Sequence, residues 1–255
     1  MKTSSITNYN QMNFKSTSAE IKKADSIMRR LRTRFPMYSE TYLHSYKSVK
    51  KNKEFKALLS KMGLLIDELR SEVFFSRPKD EFFKIMDYAH NYKVGNCNES
   101  MMLTRAVLKA NGYDNVVGCA LYGFNAKKNR IVDLDHCFCA IDLDFPKNKV
   151  IDFENFTRKD LVQPNNKSII VDTWAGKVGY AKSLLPEYRG SIPLMHKPAD
   201  VHKLFLLPIE TKEVPKEVLD FIAPTPISPS TSPIASKKTE SWKDKVFKFL
   251  TKILD

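Results

Sequence analysis

The sequence predicts an α+β fold in which helices come first and a mostly antiparallel sheet follows. Apolar residues recur at helical spacing from the capping signal at Thr17 onward, as far as Leu108. After Asn111-Gly112 the pattern changes to short apolar runs separated by turn residues, which is typical of strands. The chain has 255 residues, of which 42% are hydrophobic, so it can form one large domain with appendages and is not disordered throughout.

The helices are predicted from capping residues and breakers. Residues 1–15 are polar and predict disorder, whereas Thr17-Ser-Ala-Glu20 is a capping box. Prolines and Asn-Gly then mark where helices begin and end. Helices are therefore expected from Thr17 to Pro36, over 40–49 and 53–74, from Pro78 to Ala89, and from Cys97 to Asn111. We assign 16–76 to a helical N-terminal region and 77–222 to the main domain.

The later part of the chain predicts strands and then a tail. Strands are expected at Val116–Phe124, Ile131–Leu143, Val150–Phe153 and Ser168–Trp174. Residues 179–222 carry mixed signals, and we expect them to fill in the core. Residues 223–238 form a Pro/Ser linker, and 239–255 predict a basic amphipathic helix with its apolar residues on one face.

Charge is unevenly distributed along the chain. There are 42 Lys and Arg against 29 Asp and Glu, a net charge of +13, and the excess lies in residues 1–76 and 225–255. The ends are either solvated helix faces or a binding surface for an acidic partner. A nucleic-acid partner is the least favoured, because no nucleic-acid motif is present. The last helix either docks on the domain or binds a membrane surface or a partner's groove.

Targeting signals are sparse. No apolar run approaches the ~20 residues of a membrane-spanning helix, and the N-terminus lacks the apolar segment of a Sec signal peptide. The four cysteines form no CxxC pair, which indicates free thiols in a reducing compartment.

Cys97 is a candidate nucleophile because it follows Gly95-Asn96 at the start of a helix. The positive end of a helix favours the thiolate, and the N–H groups of the first turn can hold an oxyanion. The alternative is that Cys97 is a small buried apolar residue.

His136 is a candidate base in the middle of the second strand. Alternation places His136 and Phe138 on one face, and Cys137 and Cys139 on the other, where we expect a structural role for both thiols. A metal site from these residues is not expected, because adjacent strand residues point apart. An imidazole base needs a third group to orient it, and both Asp152 and Asp172 end an apolar strand.

Three motifs in order resemble those of the transglutaminase-like cysteine enzymes, in particular the versions that pathogenic bacteria deliver into host cells. They are Gly95-Asn-Cys-Asn-Glu99, Asp135-His-Cys-Phe138 and Val171-Asp-Thr-Trp-Ala-Gly176, and the resemblance covers about 78–178. It implies a transglutaminase or papain-like core with Cys97 as nucleophile, His136 as base and Asp172 as the orienting group.

The resemblance has two departures. Thr173 stands where proline is common, and in many compact family members the histidine and aspartate are separated about as His136 and Asp152 are. We favour Asp172 because its Trp-Ala-Gly context matches better. Trp174 then either lines the acyl site or belongs to the core, and Glu99 has a structural role in the first helical turn.

The resemblance implies acyl transfer on a glutamine of a host protein with an acidic surface, either cross-linking or amine incorporation. Deamidation and proteolysis use the same three groups. No cofactor is expected, since the sequence has no acidic calcium loop. The expected location is the bacterial cytoplasm and then the host-cell cytoplasm. The alternative is a non-catalytic effector that binds a host protein or a membrane.

Overall fold

The structure, a computed structural model, describes residues 6–39, 53–125, 127–143, 167–188, 201–209 and 213–223. Six α-helices occupy Ile6–Arg34 (α1), Lys53–Phe74 (α2), Pro78–Asn91 (α3), Cys97–Ala110 (α4), Ala181–Leu184 (α5) and Lys216–Ile222 (α6) within these ranges. The strands there are Val116–Asn125 (β1), Arg130–Ile141 (β2), Ile169–Asp172 (β3), Lys177–Tyr180 (β4) and Val201–Ile209 (β5).

The strands form one five-stranded sheet in the order β4-β3-β2-β1-β5. Every neighbouring pair is antiparallel. β1 and β2 form the long central hairpin, in which Val116 is opposite Ile141 and Asn125 is opposite Arg130. The predicted α+β class, with helices ahead of a mostly antiparallel sheet, is therefore confirmed.

The sheet separates two apolar layers, and strand alternation decides which side chain enters which layer. The first layer lies under the helices and includes Leu31, Leu59, Phe82 and Leu103, together with Cys139 from β2. We call it the helix-side core. The second, the far-side core, contains the alternate β2 residues with side chains from the segment after β4; its members include Phe138, Ala140, Ile170, Leu185 and Tyr188.

The helix-side core crosses the boundary that the sequence predicts near residue 76. Ala24 and Ile27 from α1 belong to the same buried cluster as Met101 and Ala106 from α4. Burying these side chains stabilises the fold by roughly 25 cal/mol for each Å² of apolar surface removed from water. The N-terminal helices therefore form part of the core that holds α4.

The N-terminal helix differs from its prediction. α1 begins at Ile6, whereas the sequence predicts disorder over 1–15 and a helix start at Thr17. No glycine or proline interrupts the chain between Ile6 and Thr17. A helix can therefore continue through the Thr17 capping box, whose side chains cap a helix only where one starts.

The structure agrees only in part with the predictions for the later part of the chain. The strand expected at Ser168–Trp174 is shorter, Ile169–Asp172, because a turn follows Asp172. Residues 179–222 contribute more than filling, since they include the edge strand β5 and α6. Several predictions lie outside the described residues, and their outcome stays open: the helix at 40–49, the strand Val150–Phe153, and the tail from 224 with its linker and last helix. No helix in the described part is long and apolar enough to cross a membrane.

Candidate active site

The candidate nucleophile is the first residue of α4, and partly buried polar contacts hold that helix end. Asn96 precedes the helix, and its backbone N–H donates to Glu99 Oε2 at 2.8 Å. Ser39 Oγ donates to Asn96 Oδ1 at 2.9 Å, and Arg70 Nε donates to Glu99 Oε1 at 3.1 Å. The capping box thus occurs at α4, with Glu99 in the structural role that the sequence predicts.

The loop before Cys97 is held by the segment that follows α1. Tyr38 N–H donates to Lys93 O at 2.9 Å, and Gly95 N–H donates to Tyr38 O at 3.2 Å. A Cβ added at Gly95 would lie 2.7 Å from Met37 Sδ, which is closer than real Cβ contacts. A side chain at this position would therefore force Met37 to move, and the close packing of this segment against Gly95 helps to position the start of α4.

His136 lies at an irregularity in β2. Ala120 pairs with Cys137 and Tyr122 with Asp133, so three residues of β2 lie opposite one residue of β1. Within this bulge Asp135 has a φ of 50°, and its N–H donates to Asp133 Oδ1 at 2.8 Å. Bulges of this kind re-aim side chains beside active sites, and aspartate tolerates the left-handed conformation better than most residues.

Asp172 is hydrogen-bonded to the imidazole of His136. His136 Nε2 lies 2.7 Å from Asp172 Oδ2, and both side chains are almost fully buried. Asp172 accepts two further hydrogen bonds, from Tyr188 Oη at 2.7 Å and from Ala175 N–H at 2.9 Å. Because a buried carboxylate is costly unless it is paired and hydrogen-bonded, these donors explain why Asp172 can end a buried strand.

Three aromatic rings surround the imidazole. The ring centroids of Trp174, Phe138 and Tyr188 lie 5.0, 5.6 and 5.8 Å from that of His136. Trp174 also packs against the far-side core. It therefore contributes both to the aromatic surroundings of His136 and to the far-side core.

The thiol of Cys97 is strongly acidic in this setting. Its pKa falls to about 5, chiefly because the Cys137 thiol donates a hydrogen bond to it. Burial opposes this shift, while the hydrogen bond and charge of His136 and the backbone N–H of Cys137 add to it. The pKa of Cys137 is raised in turn, since its proton is held by the Cys97 thiolate.

The pKa of the His136 imidazole shifts upward instead. Burial lowers the pKa of His136, but the charge and hydrogen bond of Asp172, followed by those of Cys97, raise it to about 9. At neutral pH the site therefore holds a Cys97 thiolate beside a His136 imidazolium. Because Nε2 is engaged by Asp172, Nδ1 is the ring nitrogen that remains for the sulfur.

The strand end that carries Asp172 is tied directly to the helix that carries Cys97. Thr173 Oγ1 lies 2.6 Å from Thr104 Oγ1, and Thr104 Oγ1 donates to Ser100 O at 2.6 Å. Thr173 stands where the family pattern commonly has proline. A hydroxyl at this position joins β3 to α4, which proline could not do.

All four cysteines are free thiols, and two of them lie apart from this site. Burial raises the pKa of Cys119 and of Cys139, and Cys139 Sγ donates to Met101 O at 3.2 Å. Within the described ranges, no cluster of three or more His, Cys, Asp or Glu side chains is arranged to hold a metal ion.

The structure brings Cys97, His136 and Asp172 together. Asp152 lies outside the described residues. Sequence reasoning missed Tyr188, which lies in a segment without a clear pattern, and it assigned Cys137 to the core alone. Comparisons with protein-family models, curated proteins and solved structures found no match. The likeness to transglutaminase-like enzymes therefore rests on the three motifs.

Proposed function

We propose that the protein is a transglutaminase-like acyltransferase that uses Cys97 to modify glutamine side chains of another protein. The observation that supports this most directly is that His136 lies 2.7 Å from the buried Asp172, while the charge and hydrogen bonding of His136 help to lower the pKa of Cys97 to about 5. Such an array is typical of cysteine nucleophiles that attack carbonyl groups.

The first half-reaction forms a thioester. The Cys97 thiolate attacks the carboxamide carbon of the glutamine, and the carbonyl oxygen becomes an oxyanion. The N–H of Cys97 is the first N–H of α4, which has no acceptor within the helix and can hold that oxyanion. The C–N bond then breaks, and ammonia leaves with a proton from the His136 imidazolium.

The second half-reaction releases the product. A primary amine attacks the thioester, His136 takes the amine proton, and the Cys97 thiolate departs as the new amide forms. Asp172 keeps the imidazole in the orientation and tautomer that both proton transfers require. If water replaced the amine, the same groups would deamidate the glutamine, and attack on a main-chain carbonyl would make the protein a protease.

The substrate is proposed to be a host protein with an acidic surface, reached after delivery from a bacterial cell. The excess of basic residues in 1–76 supports an acidic partner, since opposite charge speeds encounter. The delivery itself is proposed from the family resemblance of the three motifs.

The test is amine incorporation in host-cell lysate. The protein would be mixed with lysate and a biotinylated primary amine, beside Cys97→Ala and the matched control Cys119→Ala. Cys119 is fully buried in β1, so its loss changes a cysteine outside the site. We expect labelled proteins with the wild type and Cys119→Ala, and none with Cys97→Ala.

Three other outcomes would change or overturn the proposal. Labelling that survives in Cys97→Ala would exclude Cys97 as the nucleophile. If no protein is labelled, but Cys97-dependent mass gains of about one dalton or new chain termini appear in the same lysate, the enzyme would be a deamidase or a protease. If none of these changes depends on Cys97, the proposal is wrong and the non-catalytic binding alternative is favoured.

A further inference from the structure

We propose that a cavity one helical turn away from Cys97 binds an acidic side chain of the substrate, a glutamate or aspartate near the reactive glutamine in sequence. The inference rests on the proposed function, because it names the sequence context that this site would select. The cavity has a volume of about 180 Å³. Since one water takes about 30 Å³ of liquid volume, the cavity has room for one amino-acid side chain.

The position of the cavity connects it to the reacting groups. Its lining includes Ser100, one helical turn after Cys97, and Thr173, the residue after Asp172. The opposite wall comes from the end of α1 and the segment beyond it, which also holds the loop before Cys97 through the Tyr38–Gly95 hydrogen bond. A side chain bound here would therefore lie within a few residues of a glutamine at Cys97.

The charge in the cavity comes from Arg32. Arg29, Arg70 and Arg77 each form an ion pair with a carboxylate. Among the described residues, Arg32 forms no ion pair. Its positive charge acts on Tyr38, where it partly offsets the rise in pKa that burial causes. Arg32 thus supplies a cation to a small cavity without a carboxylate from the described part of the chain.

A neighbouring glycine makes room for that cation. Gly176 has a φ of 69°, and a Cβ added there would collide with Arg32 Nη1. Gly176 ends the turn that begins at Thr173, directly after Asp172. The turn that carries the orienting aspartate is therefore shaped so that the guanidinium can lie across it.

The remaining lining fits the stem of an acidic side chain. Phe35, Pro36 and Met37 supply apolar surface for methylene groups, while a carboxylate can accept two N–H bonds from one guanidinium. A lysine side chain would meet the same positive charge and be repelled. An arginine that merely complemented the C-terminal dipole of α1 would give no such selectivity.

The experiment measures binding rather than turnover. Full-length Cys97→Ala protein would be titrated against fluorescein-labelled peptides, each with one central glutamine and a glutamate or a lysine at one position from −3 to +3. Fluorescence anisotropy would give the Kd of each peptide. The same series would be run with Arg32→Glu and with Arg29→Glu, a control that makes the same charge change one turn earlier on α1.

We expect at least one glutamate position to bind about tenfold more tightly than lysine at that position. Arg32→Glu should reverse this preference, and Arg29→Glu should retain it. If Arg32→Glu fails to fold by circular dichroism, Arg32→Gln, which removes the charge only, should abolish the preference. The absence of binding or of a preference, or equal effects of the two charge reversals, would overturn the inference. Since these proteins are inactive, failure of the cavity and failure of the acyl-transfer proposal give separate results.

Discussion

Cys97 and Cys119 show how two regions of one molecule give the same side chain opposite chemistry. Cys119 lies in the middle of β1, fully buried between apolar neighbours, and burial raises the pKa of its thiol. Cys97 is half-buried at the start of α4, and the pKa of its thiol falls to about 5. Burial raises the pKa in both places, so the difference comes from hydrogen-bond donors and a neighbouring positive charge.

The donors around Cys97 come from a strand that also serves the core. Cys137 and Cys139 both point to the helix side of β2, but only the first lies opposite the start of α4. Cys139, two residues along, donates to the Met101 carbonyl in the second turn of the same helix. The contrast between reactive and inert thiols therefore depends on which turn of α4 each β2 residue meets.

The largest effect is expected from removing the group that orients His136. Asp172→Asn should lower kcat for amine incorporation by about 10³-fold, because an amide can hold the imidazole in the wrong tautomer. Tyr188→Phe is a graded control, since it removes one donor to Asp172 and keeps the ring. Activity of Asp172→Asn above a tenth of the wild type would instead favour Asp152 as the orienting group.

Thiol alkylation tests the comparison directly. At pH 7, we expect iodoacetamide to modify Cys97 about a hundredfold faster than Cys119, Cys137 or Cys139, because only its thiolate is the major form. Timed digestion and mass spectrometry would give the four rates. In urea the rates should converge. Equal rates in the native protein would mean that Cys97 is not activated.

Removing the Cys137 thiol should raise the pKa of Cys97 and make its reactivity more like that of the inert cysteines. Alkylation of Cys97 should fall below pH 5, its pKa, as the thiolate takes up a proton. In Cys137→Ala this fall should move upward by about one pH unit, because a hydrogen bond to the charged form is lost. Catalysis should also decline above pH 9 as His136 loses its proton, with or without Cys137.

Cys139→Ala is the matched control for that experiment, since its thiol lies on the same face of β2 but contacts Met101. It should leave the pH dependence of Cys97 unchanged. An identical shift in both variants would indicate a general loosening of β2 rather than the loss of one donor.

The smallest effect is expected at the contact between Thr173 and Thr104, which joins the end of β3 to α4. Thr173→Val should lower the free energy of unfolding by about 1 kcal/mol, because it removes the buried hydroxyl contact with Thr104. Urea denaturation would measure it. Thr33→Val, which removes an exposed hydroxyl on α1, should cost less. Equal costs would show that the contact between β3 and α4 adds nothing to stability.

Local signals were enough to predict the positions of the three proposed reacting groups. Cys97 follows Gly95-Asn96 at a helix start. His136 and Asp172 lie in apolar strands, where a polar side chain is unfavourable unless it has a partner. The bulge at His136 could not be predicted, because strand alternation assumes regular pairing. Tyr188 and Arg32 also carried no local signal, since each lies in a different segment of the sequence from the residue that it contacts, Asp172 and Gly176 respectively.

The sequence by itself determined the α+β class, the breaks between helices and strands, and the candidate residues, because periodicity, caps and breakers act within a few residues. The tertiary structure alone decided which aspartate among the described residues meets His136, that Cys137 lowers the pKa of Cys97, and that Arg32 lies over Gly176. These contacts join α1, α4, β2 and β3 through shared packing. Their energies depend on burial and on distances between segments, which no local pattern encodes.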